Sequence, residues 1–415
     1  MKSIEEAVFW EVFHRSRVLR SELATKLGVS PPTISRSLET LAECGLIRES
    51  SAVVSRRGRR PGELHVNPDM ARMLGLEIDR DHITAVVTDM GGELLGRASA
   101  RYTPVNNLVG TMDATFKLAG VALEDAGIET GRVNRVGVGH TGVLNLESGM
   151  CLSWGGTPEW KNVPLRKMFA ELFGVEVTLD DRARAMAMAE RFLSLDDARQ
   201  PNAIYVIVGT GVGCGVFIDG RLVRGASQAA GELGHFVVDR TGPVCACGAT
   251  GCVEAIASLP AILNRVRDAI GKGRQTTLAR LVGANELLTI DHVVRAANRE
   301  DALAKEVLND AGEALGAALA NAVHLLNPSL VVLCGKVAHA AREHLLQPVC
   351  RVIHRRCFEV APGRLEIRLA PFRKDIVAVG CALLAAQDYA GMELQQHLAA
   401  MRPRPSPRAA RTRTT

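Results

Sequence analysis

The chain is 415 residues long, which exceeds one typical domain and predicts two or three. Apolar residues make up 47% of it, yet no uninterrupted apolar run reaches the roughly 18 residues of a membrane span. The net charge of +5 is concentrated in residues 401–415, where five arginines occur without an acid. The amino terminus has no apolar signal core, so we expect a cytoplasmic protein with reduced cysteines and no membrane partner.

The first part of the chain predicts a DNA-binding head. Amphipathic spacing indicates helices over 4–14, 22–27 and 31–44, with Gly28 and Gly45 ending the second and third, and a strand follows. This order is that of a winged helix-turn-helix, whose third helix enters the major groove. We expect base or phosphate contacts from the polar residues near its start: Thr33, Ser35, Arg36 and Ser37. A three-helix packing module that does not bind DNA would show the same apolar spacing.

An arginine-rich segment follows the third helix. It lies between a wing strand predicted over 47–54 and its return over 63–67, and four arginines surround a glycine: Arg56, Arg57, Arg59 and Arg60. The segment resembles an AT-hook, whose arginines enter a narrow minor groove of strongly negative potential. A solvated basic linker would have the same composition. We assign 1–66 to a winged helix-turn-helix domain with this basic wing or linker.

The remainder predicts an α/β fold of two similar lobes with a cleft between them. The sequence predicts a β-hairpin twice. The first hairpin has strands over 74–78 and 83–89, and the second has strands over 204–208 and 215–218. We expect lobe 1 over 70–185, lobe 2 over 186–387 with the last helix packing back on lobe 1, and a disordered basic tail over 388–415. The turn of the second hairpin could offer backbone N–H groups to phosphate oxygens; its residues are Gly209, Thr210, Gly211 and Gly213. Alternatively, its glycines are needed only for the positive φ angles of a hairpin turn.

One histidine and three cysteines in lobe 2 predict a metal site: His235, Cys245, Cys247 and Cys252. One imidazole with three thiolates suits tetrahedral zinc, and four protein ligands leave no position for a reactive water, so this zinc would be structural. Buried cysteines that cluster by chance, or a disulfide, would be the alternatives. If one cysteine did not bind, an open zinc position and a hydrolase would become possible. Two carboxylates flank the motif, Glu232 and Glu254, as acceptors for a polyol or as solvated loop charges.

These motifs resemble the ROK family of repressors, open reading frames and sugar kinases. The resemblance spans residues 1–385, rests chiefly on the run from Gly231 to Glu254, and the fused head is typical of the regulator branch. It implies an actin-like, sugar-kinase fold after the winged helix-turn-helix. It also implies that the histidine and cysteines above bind zinc, and that Glu232, His235 and Glu254 face sugar hydroxyls.

Two features depart from the kinases of that family. Their first phosphate loop is Asp-x-Gly-Gly-Thr, and the residues here, 79–83, lack the glycines. Their catalytic base is the second acid of Glu-Asn-Asp-x-Asn, and Arg182 stands at that position in the run 180–184. Arginine stays protonated and cannot accept the proton of an attacking hydroxyl. Arg182 would either contact an anionic ligand or pair with Asp180 or Asp181.

The substrate loop of those kinases corresponds to 152–165 here. They carry a sugar-contacting Asn near Gly156, and we include Asn162 of this loop among the sugar-binding residues.

We therefore expect a sugar-responsive regulator of carbohydrate-use genes, without catalytic residues. Regulators of the family that it resembles are most often repressors, so we expect a repressor. Its partners would be double-stranded operator DNA, a sugar or sugar-phosphate effector, and further copies in a homodimer or homotetramer. The alternative is an ATP-dependent sugar kinase with an accessory DNA-binding head. An Ala-rich helix predicted over 302–326 would lie in the lobe core or at an oligomer interface.

Overall fold

The computed structural model describes residues 3–15, 17–50, 54–55, 58–59, 62–102, 107–154, 158–281, 287–358 and 365–400. The head contains three helices and short antiparallel strand pairs, β1 with β4 and β2 with β3. Its elements are α1 (Ile4–Arg15), α2 (Arg20–Leu27), α3 (Pro31–Glu43), β1 (Ile47–Glu49), β2 (Val54–Ser55), β3 (Gly58–Arg59) and β4 (Leu64–Val66). This is the predicted winged helix-turn-helix. Gly28, at φ 64°, ends α2 as its left-handed C-cap.

Lobe 1 is built on a five-stranded sheet in the order β11-β8-β5-β6-β7, in which β5, β8 and β11 are parallel. Its elements are β5 (Arg72–Ile78), β6 (His82–Asp89), β7 (Leu94–Arg101), α4 (Leu108–Asp125), β8 (Arg135–His140), β9 (Val143–Asn145), β10 (Met150–Ser153), α5 (Leu165–Phe173) and β11 (Val177–Asp181). The meander β5-β6-β7 is antiparallel.

Lobe 2 repeats that plan with the order β14-β13-β12-β15-β16: an antiparallel meander followed by two parallel strands. Its elements are α6 (Arg182–Leu193), α7 (Leu195–Ala198), β12 (Ala203–Val208), β13 (Val212–Ile218), β14 (Arg221–Leu222), α8 (Val253–Ala257), α9 (Leu259–Gly271), α10 (Leu278–Leu281), α11 (Ile290–Ala297), α12 (Ala302–Leu326), β15 (Leu330–Cys334), α13 (Gly335–Ala341), α14 (Glu343–Arg356), β16 (Glu366–Leu369) and α15 (Ile376–Ala400). The equivalent sheets confirm the predicted duplication.

The helix α12 has the predicted bounds, 302–326, and lies in the core of lobe 2. It packs against α8, α9, α11 and α14, and its side chains are buried along most of its length. Small residues allow the close approach of α14: a Cβ added at Gly316 would lie 2.8 Å from Cβ of Val352. The core-helix interpretation therefore accounts for its small residues.

Two helices lie between the sheets. The last helix, α15, packs on β5, β6 and β8 of lobe 1, while α6 packs on β12 and β13 of lobe 2, and the two helices contact each other. The two helices approach so closely that a Cβ at Gly380 would lie 1.8 Å from the Ala185 carbonyl oxygen. The helix α15 also lies close to β5, because a Cβ at Gly75 would be 2.0 Å from the Ala378 carbonyl oxygen. The boundary expected between 185 and 186 falls inside α6, because β11 runs directly into this helix.

The head packs on the same helix pair. The rings of Phe13 in α1 and Phe192 in α6 are 6.0 Å apart between centroids. Trp10 lies against Gly391 of α15, where an added Cβ would be 3.4 Å from the indole ring. A single apolar core thus joins the head to α6 and α15.

Residues 388–400 were expected in the disordered tail, and this expectation is wrong. They continue α15 to Ala400, with Ala390 and Leu394 buried. The expectation rested on the arginine-rich composition of residues 401–415, whereas the apolar residues just before them have helical spacing. Residues 401–415 lie outside the described residues.

Gly380→Ala tests the packing between α15 and α6. We expect it to lower the free energy of unfolding by about 1–3 kcal/mol, since the methyl group has no space and the backbone must shift. Gly120→Ala is the control, because Gly120 is exposed in α4 and an added Cβ meets nothing within 4 Å. That change should stabilise by up to about 1 kcal/mol through helix propensity. Urea unfolding measures both, and equal shifts would contradict the packing.

Candidate functional site

The predicted metal ligands come together in one loop cluster of lobe 2. His235 ends a short 3₁₀ turn, Leu233–His235, and Cys252 is the N-cap of α8. Isolated bridges pair Val237 with Cys252 and Val244 with Thr250, which folds the intervening loop back. The turn requires glycine at Gly251: its φ is 79°, and an added Cβ would lie 1.4 Å from the Asp239 carbonyl oxygen.

The donor atoms of this cluster fit a tetrahedral divalent ion. One ligand atom from each residue lies within 4.8 Å of all the others. The Cys247 and Cys252 sulfurs are 3.7 Å apart, as are the Cys245 sulfur and His235 Nδ1. Thiolates about 2.3 Å from a tetrahedral zinc ion would be about 3.8 Å apart. All ten cysteines are free thiols, so these sulfurs are not joined as disulfides.

The predicted sugar-facing acids adjoin this cluster. Nε2 of His235, the nitrogen opposite the cysteines, is 3.8 Å from Oε2 of Glu232. Oε2 of Glu254 accepts a hydrogen bond of 2.9 Å from the backbone N–H of Val212. Glu254 therefore contacts the glycine-rich turn between β12 and β13. These contacts bring the polyol acceptors and the glycine-rich turn together at one edge of lobe 2.

Arg182 lies at the first turn of α6 and is only 8% exposed. Its Nε donates to Oε1 of Glu77 at 2.9 Å, and its Nη2 lies 2.9 Å from Oδ2 of Asp79. Glu77 is buried near the end of β5, where the positive charges of Arg182 and His82 hold the pKa of its carboxyl below the usual range against the opposing effect of burial. Arg182 is thus bound by acids of lobe 1.

The two acids weighed as partners of Arg182 have other partners. Asp180 accepts from Arg184 Nε at 2.6 Å and from Arg224 Nη2 at 2.7 Å. Asp181 is the N-cap of α6, and its Oδ1 accepts from the backbone N–H of Ala183 at 2.8 Å. Of the two alternatives for Arg182, pairing with Asp180 or Asp181 is therefore wrong, because both acids accept from other donors.

The phosphate-loop residues also contact carboxylates. Thr210 Oγ1 donates to Oδ1 of Asp79 at 3.3 Å, across from the turn that follows β5. His82 Nδ1 is 2.7 Å from Oδ1 of Asp81, and hydrogen bonds to Asp81 and Glu77 raise the pKa of this imidazole to about 10. Glu77, Asp79 and His82 have metal-ligand geometry, but the Arg182 guanidinium already supplies positive charge between the carboxylates.

Asn162 lies in the exposed turn after the 3₁₀ residues Pro158–Trp160. Its φ is 56°, and its backbone N–H donates to the Leu152 carbonyl at 3.2 Å. The bonds described for Asn162 do not connect it to Glu232 or Glu254, so its contact with a ligand stays a prediction. Gly156, where the kinases carry an Asn, is outside the described residues.

The recognition helix of the head presents three of its four predicted residues. Ser30 caps α3 by accepting from the Thr33 N–H at 3.4 Å. Thr33 and Ser35 are half-exposed and Arg36 is exposed, but Ser37 is only 2% exposed and donates to Glu5 of α1 at 3.2 Å. Ser37 is therefore a packing residue, and the prediction for it is wrong. Arg56, Arg57 and Arg60 lie outside the described residues, as does the side chain of Arg59.

Comparison with known proteins places this geometry in a family. The model of the ROK family matches residues 73–388. The chain belongs to the ROK family. The model of bacterial regulatory proteins of the arsR family matches residues 20–49 of the head.

Individual ROK proteins resemble the chain over different lengths. The xylose repressor of Caldicellulosiruptor bescii is 26% identical over 389 residues, covering 94% of this chain and 96% of that protein. A glucokinase of Thermotoga maritima is 28% identical over 320 residues, covering 77% and 99%. The crystal structure of a ROK family transcriptional regulator, a homologue of the E. coli MLC protein, has a TM-score of 0.72 at 25% identity, covering 94% and 100%.

Within the described part of this ROK protein, no helix is both long enough and apolar enough to cross a bilayer. The residues that sequence reasoning missed are Glu77, His82 and Arg224. Glu77 carried a signal, since it is an acid within an otherwise apolar buried strand.

Arg182→Met tests the buried ion pair. We expect a loss of about 3–5 kcal/mol in the free energy of unfolding, because Glu77 and Asp79 would lose their nearest guanidinium. Adding Glu77→Gln should recover part of this loss, and urea unfolding of the double-mutant cycle measures the coupling.

The control for that cycle is Arg17→Met, which removes a pair with Glu63 whose side chains are 63% and 49% exposed. Exposed pairs contribute about 0–1 kcal/mol. A loss at Arg182 no larger than the loss at Arg17 would refute a structural role for the ion pair.

Proposed function

We propose that this ROK protein is a sugar-responsive transcriptional regulator, acting as a repressor of genes for carbohydrate use. The observation that carries the proposal is one polypeptide in which a helix-turn-helix with an exposed Arg36 is packed onto a ROK domain. The length of the resemblance to xylose repressors and to the MLC homologue supports it, since both cover the head as well as the ROK domain.

DNA is bound by the first turns of α3. Thr33, Ser35 and Arg36 meet base edges and phosphates in the major groove, and the arginines of 56–60 at the wing contact the backbone or minor groove. Two heads in a homodimer or homotetramer match a two-fold related operator, since closed symmetry repeats the same contact on each half-site.

The effector is a sugar or sugar derivative, bound at the edge of lobe 2 beside the metal cluster. Glu232, His235 and Glu254 supply acceptors and a donor for its hydroxyls. Zinc on His235, Cys245, Cys247 and Cys252 is structural, because four protein ligands complete a tetrahedral site, and it keeps these side chains in place. The ligand switches DNA occupancy only if it binds one arrangement of the heads more tightly than the other.

Phosphoryl transfer is disfavoured by charge at the phosphate side of the cleft. A guanidinium at the base position cannot take a proton, and Asp181, its neighbour, is already a helix cap. The turn that would hold phosphate donates to Asp79 and Glu254 instead. Carboxylates at these positions repel a triphosphate. The resemblance to glucokinases makes a kinase the second candidate, which ATP-dependent phosphorylation of pooled sugars by the purified protein would establish.

Recovery of genomic fragments bound by the zinc-loaded protein tests the regulator. We expect a shared inverted-repeat site whose recovery changes with one pool of sugars or sugar phosphates. Arg36→Ala should weaken binding to that site about tenfold or more at fixed salt, the effect of losing a base contact.

Arg299→Ala is the matched control for this experiment, since Arg299 is an exposed arginine of lobe 2 outside the head. It should leave DNA affinity unchanged. The absence of any enriched fragment with or without sugars, or equal losses in the two variants, would reject the DNA-binding proposal.

Cys247→Ser tests the metal. Wild-type protein should retain about one zinc ion per chain after dialysis, and the variant should lose it because three ligands hold the ion less tightly. Cys350→Ser, which changes a half-buried thiol on α14, should retain zinc. Metal analysis by atomic emission measures both, and equal zinc contents would refute the assignment of Cys247 as a ligand.

A further inference from the structure

A cavity of about 420 Å³ lies at the junction between the head and lobe 2. The head contributes Trp10, His14 and Lys26 from α1 and α2, and lobe 2 contributes Arg191 of α6 and Arg221 of β14. This volume falls in the range of about 300–1,000 Å³ that small-molecule sites occupy. The cavity is separate from the metal cluster and from Glu232 and Glu254, none of which lines it.

Positive charge exceeds negative charge around this cavity. Lys26 and Arg15 share one carboxylate, Glu11, at 2.9 and 3.3 Å. Arg221 is exposed, and no carboxylate of the described residues forms an ion pair with it. The remaining acid of the lining is Asp219, in the turn before Arg221. The lining thus has two unmatched cations.

The buried cation of the cavity is Arg191, only 3% exposed. Its Nη1 and Nη2 donate to backbone carbonyls of Asp197, Ala198 and Gln200 at 2.6–3.1 Å, and its Nε lacks a partner among the described residues. The nearby Asp197 carboxylate already accepts from Arg368 and Tyr205. The guanidinium also lies 4.8 Å from the centroid of the Phe217 ring, so Arg191 contributes a buried positive charge beside the cavity rather than free N–H donors.

The imidazole of His14 lies among these cations. Its ring stacks on Trp10 with centroids 5.4 Å apart. Burial, and after it the positive charges of Arg191, Arg221 and Lys26, lower the pKa of His14 to about 4. His14 is therefore neutral at physiological pH and adds no charge, but it shows that three cations from both sides of the junction converge on one place.

We propose that this junction cavity binds a small phosphate dianion, free or as a monoester, held between Lys26 of the head and Arg221 of lobe 2, with the buried positive charge of Arg191 nearby. Paired N–H donors of arginine suit phosphate oxygens, and Lys26 adds a point charge from the opposite wall. The Trp10 ring offers an apolar face to the organic part of a monoester. A ligand that touches both walls binds only while the head rests on lobe 2, and so stabilises that docked arrangement.

Calorimetric titration of the zinc-loaded full chain with inorganic phosphate and with ribose 5-phosphate tests this site, with ribose as the neutral probe and constant ionic strength. We expect at least one phosphate to bind and ribose not to bind. Lys26→Gln and Arg221→Gln should each weaken binding about tenfold or more, since each removes one charge-assisted contact. Arg299→Gln should not change it. Tighter binding of ribose 5-phosphate than of phosphate would identify the ligand as a monoester.

Three outcomes would overturn the proposal: no binding of either phosphate at millimolar concentration, equal effects of Arg299→Gln and Arg221→Gln, or binding lost in Glu232→Gln but kept in the junction variants. The last result would place the anion in the effector cleft. Thermal unfolding of each variant distinguishes loss of the site from loss of the fold. Because binding is measured without DNA, failure here leaves the regulator proposal standing.

Discussion

The contact between α6 and α15 is the constraint on which the rest of the structure depends. The helix α6 packs on the sheet of lobe 2 and α15 on the sheet of lobe 1, and no free space is left between the helices at Gly380. Packed interiors transmit displacement because they compress little. A rotation of the lobes as rigid units about this helix pair would therefore be transmitted through both helices. Since α1 packs on the same pair, such a rotation also reaches the head.

Charged and polar side chains of the two lobes bond to one another at the cleft. Glu77 and Asp79 of lobe 1 hold Arg182 of α6, and Thr210 of lobe 2 donates to the same Asp79. These bonds join the two lobes directly. A buried ion pair adds little net stability, but removing one partner is costly. The contact between the lobes is therefore sensitive to the loss of any one of these side chains.

Local patterns were predictable and long-range partners were not. The metal ligands follow from spacing within eighteen residues, and the duplicated hairpins follow from apolar strands with glycine turns. Arg182 finds Glu77 only through the pairing of parallel strands, which the order of residues does not specify. Ser37 was predictable in hindsight, because Ile34, Leu38 and Leu41 define a buried stripe at helical spacing that includes position 37. The prediction of disorder for 388–400 was wrong because it followed the arginine-rich composition of the neighbouring residues rather than the helical apolar spacing.

The two nitrogens of His235 face different environments: Nδ1 lies beside the Cys245 sulfur and Nε2 lies towards Glu232. A neutral imidazole carries a single hydrogen, so a metal ion on Nδ1 would leave that hydrogen on Nε2. The surface beside Glu232 would then combine one donor, the N–H of His235, with one acceptor, the carboxylate of Glu232. This pair matches a hydroxyl group, which can accept one hydrogen bond and donate another. In the proposed sugar site, a deoxy analogue would leave this donor and this acceptor unpaired, so the tautomer of the ring would help to distinguish a sugar from its deoxy analogue.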